Sequence, residues 1–595
     1  MVLESFWSVF YPEKYSNPDT DSDETLYMRM KKVCAKYPTR IALQYGSKKL
    51  TFAALIDKID EVAKAWRKLG VRKGDIVILM MGHNPMNVIS VYALDKLGAS
   101  ASLAVPVLAP EQFERYANDL GARFCVMSCR QYENFSSVLS STKIKAVIIG
   151  KYGNMISGLN RISFPFYGLS SFDSPKPREE PDGIRVMFWK DVMALPDEDG
   201  VPSNLPYDKD NRRTVLYLFP SSVADGLKPV ELSARKINLS ANHTEMVLKA
   251  NEDVTGRPAR TLCISESCFT FGFVFGTHDV LCSGQTVLIF TWYDNEKIFF
   301  ALMRYRPDVV IGYNSTVASI NKAGIYSGIL RPVERIIVGG GLLTSSQKAT
   351  LFEIAQRSGR KLSLCSIAVC DEVLTYAYGP SDLESDRLLG FPLPGVIMRV
   401  ADSETGLDVP DGAEGEISVY SPLSSEVSIS DINSGKKKNY KRLPDGRLWY
   451  FTGMIGKQDA NKMFYLVGNK SREARIGSYP VYPDMVEETV QMTEGVVECC
   501  SVIIEDTDGP VLVAAAVPEE QYFYDNSMME DLRDRIKAEC ESMLHEAMRP
   551  SEILFFVSLP KNTSGSYDYE AIKKRISLVR EDEMSDENLP DSEPT

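Results

Sequence analysis

The sequence predicts an α/β fold: a large N-terminal domain of doubly wound sheets with a small β region at its end, then a smaller α+β C-terminal domain. Three observations carry this. Up to Gly390, apolar strand-like runs alternate with segments of helical period; after Gly390 short strands with glycine turns take over; and a new αβ unit begins near Ser471. A chain of 595 residues also exceeds the size at which one hydrophobic core keeps growing, so at least two domains are expected.

The opening MVLESFWSVFYPEKY has no basic leader and carries Glu4, so it reads as a segment docked through its aromatics rather than a secretory signal. A helix is expected around Leu26 to Tyr37, then paired strands IALQYG and KKLTFAALI, then a periodic helix to Leu69. GDIVILMM, NPMNVISVYALDKLGA and ASLAVPV read as strand, helix and strand, the rhythm of a parallel sheet. ARFCVMS and KAVIIG continue it. Residues 151–213, rich in Pro, Gly, Asp and Ser, are expected to form an irregular surface insertion. Strands resume at TVLYLF, RTLCIS, TVLIF, DVVIGY and RIIVGG, continuing the sheet or forming a second one. The predicted domains are thus 1–470 and 471–578, with 579–595 an acidic, proline-bearing disordered tail.

Composition narrows the function. A net charge of −13 argues against nucleic acid as a partner, because phosphate-backbone binders concentrate Lys and Arg. Hydrophobic residues at 44% and charged residues at 25% fit a globular protein, and no apolar run is long enough to span a bilayer. The eleven cysteines show no CxxC pair or zinc spacing and read as reduced core thiols of a cytoplasmic protein. The four histidines, His83, His243, His278 and His545, form no cluster that would suggest a metal site.

Five blocks occur in a recognisable order: LTFAALIDKIDEVAKAWRKLGVRKGDIV, VGGGLLT, LLGFPLPGVIMRVADSETGLDVPDGAEGEISVY, WYFTGMIGKQDANKMFYLVGNK and YPVYPDMVE. Together they resemble the adenylate-forming superfamily of AMP-binding enzymes, which includes acyl-CoA synthetases, adenylation domains of non-ribosomal peptide synthetases and luciferases. The resemblance spans nearly the whole chain. It implies a mobile C-terminal domain and a two-step reaction in which a carboxylate attacks the α-phosphate of ATP and the acyl group then passes to a thiol. ATP and Mg, with coenzyme A or pantetheine as acceptor, are the cofactors it implies; a small carboxylic acid, an acyl group, or a carrier or partner protein are the partners.

Matched to the family pattern, PSSVADGLKPV is the phosphate loop, with Ser221, Ser222 and Lys228 at or near binding positions and Asp225 where a carboxylate would repel polyphosphate. Gly339, Gly340 and Gly341 form the adenine-side turn, and Glu372 stands at the magnesium-binding glutamate, with Ala368, Val369 and Asp371 at its Tyr, Gly and Thr positions. Met454 replaces the ribose-binding aspartate, Asn469 an arginine, and Ser566 the lysine of the C-terminal domain. Lys561, five residues earlier, lies about 17 Å away along an extended chain and could replace it only if the loop shifts. Arg472 falls at the hinge, and Gly477 or Ser478 at the turn lining the thiol tunnel. Phe269, Phe271 and Phe273 belong to the block that the resemblance places at the acyl pocket.

Asp225, Met454, Asn469 and Ser566 all depart in the same chemical sense, which predicts a pseudoenzyme that keeps the scaffold for binding or regulation. Two alternatives stand beside it: a divergent active acid–thiol ligase using Lys228, Glu372 and a substitute cation, and an acyl-binding or transfer protein using only the thiol half of the site.

Overall fold

The computed structural model describes residues 7–587 apart from 20, 106–107, 152–182, 197–204, 220–228, 291–297, 324–327, 340–342, 344, 381–386, 423–438, 473, 477–478, 507–508 and 562–566. Valine, isoleucine and leucine dominate the strands Ile76–Leu79 and Ala146–Ile149, and these two, with Ser100–Leu103 and Phe124–Met127 between or beside them, are buried almost throughout. Such runs suit a parallel sheet covered on both faces. The first sheet has the spatial order Arg185–Phe188, Ala146–Ile149, Phe124–Met127, Ile76–Leu79, Ser100–Leu103, Thr214–Leu218, Val230–Ser233, and every pair but the last is parallel.

The second sheet has a parallel section ordered Ser363–Cys370, Arg335–Gly339, Val309–Gly312, Arg260–Ile264, Thr286–Ile289, Ile41–Tyr45. Lys48–Thr51 closes one edge as an antiparallel hairpin. At the other edge Leu374–Pro380 and Leu388–Pro392 turn antiparallel and lead into Phe464–Asn469, Leu448–Gln458, Gly415–Tyr420 and Ile397–Ala401. The β region after Gly390 is therefore a hydrogen-bonded continuation of this sheet.

Three helices, two of them buried along almost their whole length and the third exposed only toward its C-terminal end, fill the interior. Pro85–Lys96 is buried at every position after Pro85, and Asn84 caps it by accepting the Asn87 N–H. Phe271–Asp279 is a fully buried nine-residue π-helix. Ala234–Thr255 lies beside it: Ser240 and Thr244 donate to Asp279 Oδ2 at 2.8 and 2.9 Å. Tyr92, on the first helix, meets His278 Nδ1 at 3.1 Å. Ser233 caps Ala234–Thr255 by accepting the Lys236 N–H at 3.1 Å, so Ser233→Ala should cost about 1 kcal/mol in chemical denaturation. An unchanged midpoint would show that tertiary contacts alone set this helix start.

The C-terminal domain stacks the strands Val496–Asp506, Gly509–Pro518 and Glu552–Phe555 against the helices Pro483–Met492, Asn526–Met543 and Tyr569–Glu587. Val486, Val490, Leu532 and Ile536 form part of its core.

Two segments depart from the sequence expectation. Within 151–213, Arg185–Phe188 adds a parallel edge strand beside Ala146–Ile149, and the helix Trp189–Met193 follows it. Trp189 packs 5.5 Å from Trp66, and that contact gives the short apolar run RVMFW a place to dock despite its polar surroundings. At the other end, the last helix runs to Glu587, well into the stretch read as a disordered tail. Ile572 and Ile576 anchor its first turns, and helix propagation past a docked start is less costly than nucleation.

Candidate active site

In open α/β sheets, ligands bind beyond the carboxyl ends of the parallel strands. In the second sheet those ends deliver Ser265 after Arg260–Ile264, Tyr313 after Val309–Gly312, Gly339 at the end of Arg335–Gly339, and the Asp371–Val373 turn after Ser363–Cys370. Ser265 Oγ donates to the Tyr313 hydroxyl at 3.1 Å. A Cβ built on Gly339 would come within 2.6 Å of the Phe271 ring, so only glycine fits there.

The Asp371–Val373 turn is held from three sides. Tyr450 donates to Glu372 Oε2 at 2.9 Å. Thr270 donates to Asp371 Oδ1 at 2.6 Å, and the Lys236 ammonium donates to the Asp371 main-chain oxygen at 3.2 Å. Burial, with smaller contributions from Cys370 and Glu372, raises the Tyr450 hydroxyl far above its ordinary range and keeps it a donor. Leu374 adopts φ 58° to close the turn, a conformation rare outside glycine.

Of the residues singled out by sequence, Glu372 and Gly339 lie at this edge. Met454 and Asn469 face each other as register partners on neighbouring antiparallel strands. Met454 Sδ accepts the Tyr376 hydroxyl at 3.8 Å. Thr452 donates to the Ile417 oxygen at 2.8 Å, and the Gly453 N–H donates to Glu416 Oε1 at 2.9 Å. Phe271 and Phe273 pack in the main core and Phe273 has no exposed surface, while Phe269 sits edge-on to Phe219 with ring centroids 6.4 Å apart. Ser221, Ser222, Lys228, Gly340, Gly341, Gly477, Ser478 and Ser566 lie outside the described residues.

Two groups here escaped sequence reasoning. Lys236 is 8% exposed, yet in the sequence it is one cation in a helix. Glu266 is pushed up to about 8 by burial, making it a carboxyl that holds its proton near neutrality, and its main-chain oxygen accepts the Phe269 N–H at 3.2 Å. Glu266 stands three residues before Phe269, a proximity in sequence that signals nothing about burial.

The surroundings of Arg472 are tightly paired. Arg472 binds Asp484, donates to both carboxylate oxygens of Glu487 at 2.6 and 3.0 Å, and reaches the Ser501 oxygen at 2.7 Å. Lys470 pairs with Glu416 at 3.0 Å and Lys561 with Glu498 at 2.7 Å. Arg387 joins the domains through Glu488 at 2.5 Å while donating to the Val467 oxygen at 3.1 Å. A cavity of about 660 Å³ opens beside that bridge, lined by Arg387, Lys457, Tyr465, Met485, Glu488 and Met492 among others. None of the Glu372-turn residues lines it, so it is a seam between the domains and distinct from the strand-end site.

This architecture is that of an adenylate-forming enzyme. The model of the AMP-binding enzyme family matches residues 30–426 and that of the AMP-binding enzyme C-terminal domain matches residues 485–566; the chain belongs to this family. A long-chain-fatty-acid–CoA ligase of Yersinia pestis is 23% identical over 506 residues, 83% of this chain and 86% of the relative. The 4-coumarate–CoA ligase-like 2 of Arabidopsis thaliana is 20% identical over 530 residues, covering 87% and 85%. The structure of the anthranilate CoA ligase AuaEII in complex with anthranoyl-AMP superposes with a TM-score of 0.74 at 16% identity, covering 94% of this chain and 98% of that one. ATP-bound MatB from Rhodopseudomonas palustris gives 0.72 at 17% identity, covering 93% and 99%.

Proposed function

We propose that this chain is an active, divergent acid–thiol ligase that adenylates a carboxylic acid with ATP and passes the acyl group to a thiol such as coenzyme A or pantetheine. The observation that carries this reading is the Asp371–Val373 turn. It holds the Glu372 carboxylate at the carboxyl edge of the parallel strands and fixes it through Tyr450, with a lysine ammonium on the adjacent residue. A carboxylate oxygen of the substrate forms the bond to the α-phosphorus as the bond to pyrophosphate breaks, pyrophosphate leaving with the electron pair. The thiolate then attacks the acyl carbon and AMP departs. Two anions meet in the first step, so fixed positive charge at the phosphates is what the protein must supply.

Magnesium is tested by the donors present. Among the described residues no cluster of three His, Cys, Asp or Glu side chains could cage a metal ion. Glu372 alone fits magnesium, which is typically held by one or two carboxylates together with substrate phosphates and water. The hydrogen bond to Oε2 leaves Oε1 for it. When bound, magnesium supplies charge neutralisation at the phosphates; the residues of the chain orient the acid and nucleotide around it. All eleven cysteines are unpaired thiols and most are buried, which supports a reducing, cytoplasmic setting. No helix among the described residues is long and apolar enough to cross a membrane.

The test is pyrophosphate exchange over a panel of aryl, short-chain and long-chain acids. Exchange is expected with at least one acid, and Glu372→Gln, which keeps an acceptor for Tyr450 but removes the charge, should lower it on the order of 10²-fold. A second reading, a binding scaffold, is favoured by Met454: a thioether stands where the resemblance places the ribose carboxylate, and Tyr376 already donates to it. Tight ATP·Mg binding with no exchange for any acid would select the scaffold.

A further inference from the structure

We propose that the outer face of the helix Ile298–Tyr305, with the hairpin turn beside it, docks on an anionic lipid surface. The helix has two sides. Ile298, Leu302 and Tyr305 enter a core shared with Leu351 and Ile354 of the helix Ser345–Arg357. Phe300 and Met303, one turn apart on the other side, are 59% and 57% exposed. Phe352 is also exposed on Ser345–Arg357, so the same helical layer turns a second aromatic ring outward. An aromatic and a thioether side chain projecting from one turn are suited to the boundary between lipid headgroups and acyl chains.

Cations flank these side chains. The Gly46 N–H donates to the Tyr305 hydroxyl at 2.9 Å, which brings the turn between Ile41–Tyr45 and Lys48–Thr51 against the helix. Lys48 and Lys49 at that turn, and Arg306 directly after the helix, are exposed and belong to no ion pair among the described residues. Arg306 adopts φ 47°, the left-handed helix-ending conformation that glycine takes without strain, so an arginine there carries a backbone cost that glycine would not. Residues 298–361 hold nine Lys and Arg against three Asp and Glu, in a chain whose net charge is −13. An anionic surface repels the chain as a whole and attracts this face, and the contrast fixes which way the molecule lies on it. Lipid phosphates supply the negative charge that Lys48, Lys49 and Arg306 lack, and the docking holds whether or not the chain turns over ATP.

Co-sedimentation of the full chain with phosphatidylcholine vesicles, with and without phosphatidylserine, tests this. Binding is expected only with phosphatidylserine and should fall as salt rises. Phe300→Ser together with Met303→Ser should weaken it by about tenfold or more, and each of Lys48→Gln, Lys49→Gln and Arg306→Gly by about fivefold. Arg306→Gly also controls for folding, because it removes the charge while relieving the backbone: its urea midpoint should not fall as its vesicle affinity drops. Absence of wild-type binding to phosphatidylserine vesicles overturns the proposal, and so does binding that the doubly substituted Phe300→Ser, Met303→Ser chain retains in full. Equal binding to neutral vesicles overturns it as well. Self-association without vesicles that those two substitutions abolish would assign the face to a second copy of the chain and overturn it too.

Discussion

Arg472→Met is expected to destabilise the C-terminal domain by about 3–5 kcal/mol. The guanidinium answers two carboxylates at once, Glu487 and Asp484, donates to the Ser501 oxygen at 2.7 Å, and lies over the Tyr569 ring at 4.4 Å. Desolvation alone would lower its pKa, but the carboxylates overcome this and the group stays charged. Burial also raises Glu487 despite the arginine, so this carboxylate depends on its partner. Methionine preserves much of the side-chain volume and leaves Glu487 buried without its counter-charge. Denaturation followed by Trp and Tyr fluorescence should show an early transition for the second domain, and a single unshifted transition would sink the argument. These contacts fix Arg472 to the C-terminal body.

The second large effect is on the acid side. Burial lowers His83 and His243 to about 4 and His278 to about 3, with Arg29 adding to the last. These folded values lie below the unfolded value of about 6.5, so the unfolded chain takes up protons first. The stability they contribute is complete above about pH 6.5 and is lost as pH falls toward 4. Neither ring nitrogen of His243 has a hydrogen-bond partner, and the ring lies against Gly395 of the PLPG turn. His243→Met should therefore remove one proton from the acid limb and gain about 3 kcal/mol on the wild type near pH 4.5. Urea titrations from pH 4.5 to 8 would show it; two curves running parallel would refute it. Asp279, raised to about 8 mainly by burial, acts in the opposite sense: its folded value exceeds the unfolded one, and stability is lost as pH rises through 8.

Much of the fold was legible. RTLCIS, DVVIGY and RIIVGG are apolar enough to announce buried parallel strands, and their residues pair in register as Thr261 with Val309 and Val309 with Arg335. The edge strand at Arg185–Phe188 was hidden because its docking partner, Trp66 beneath Trp189, is distant in sequence. The site divided in the same way. Glu372 and Gly339 were singled out because a linear pattern surrounds them. The contact of Lys236 with the Asp371 oxygen could not be read, because it spans 135 residues and SARKINLSAN read alone is an ordinary helix start. Lys561 was weighed as a substitute from spacing alone; its ion pair with Glu498 shows that a nearby charge in sequence was already engaged.

The strand Ile41–Tyr45 enters the second sheet beside Thr286–Ile289, and Thr286 donates to the Ile41 oxygen across 245 residues. During synthesis this N-terminal hairpin emerges long before its parallel partner exists. At roughly 5–20 residues per second the wait is on the order of 10–50 s. For that interval an apolar strand edge stands open, the kind of surface that recruits chaperones or other nascent chains. This second sheet can be sealed only after its last parallel neighbour has left the ribosome, so the timing of translation is built into how this chain reaches its native state.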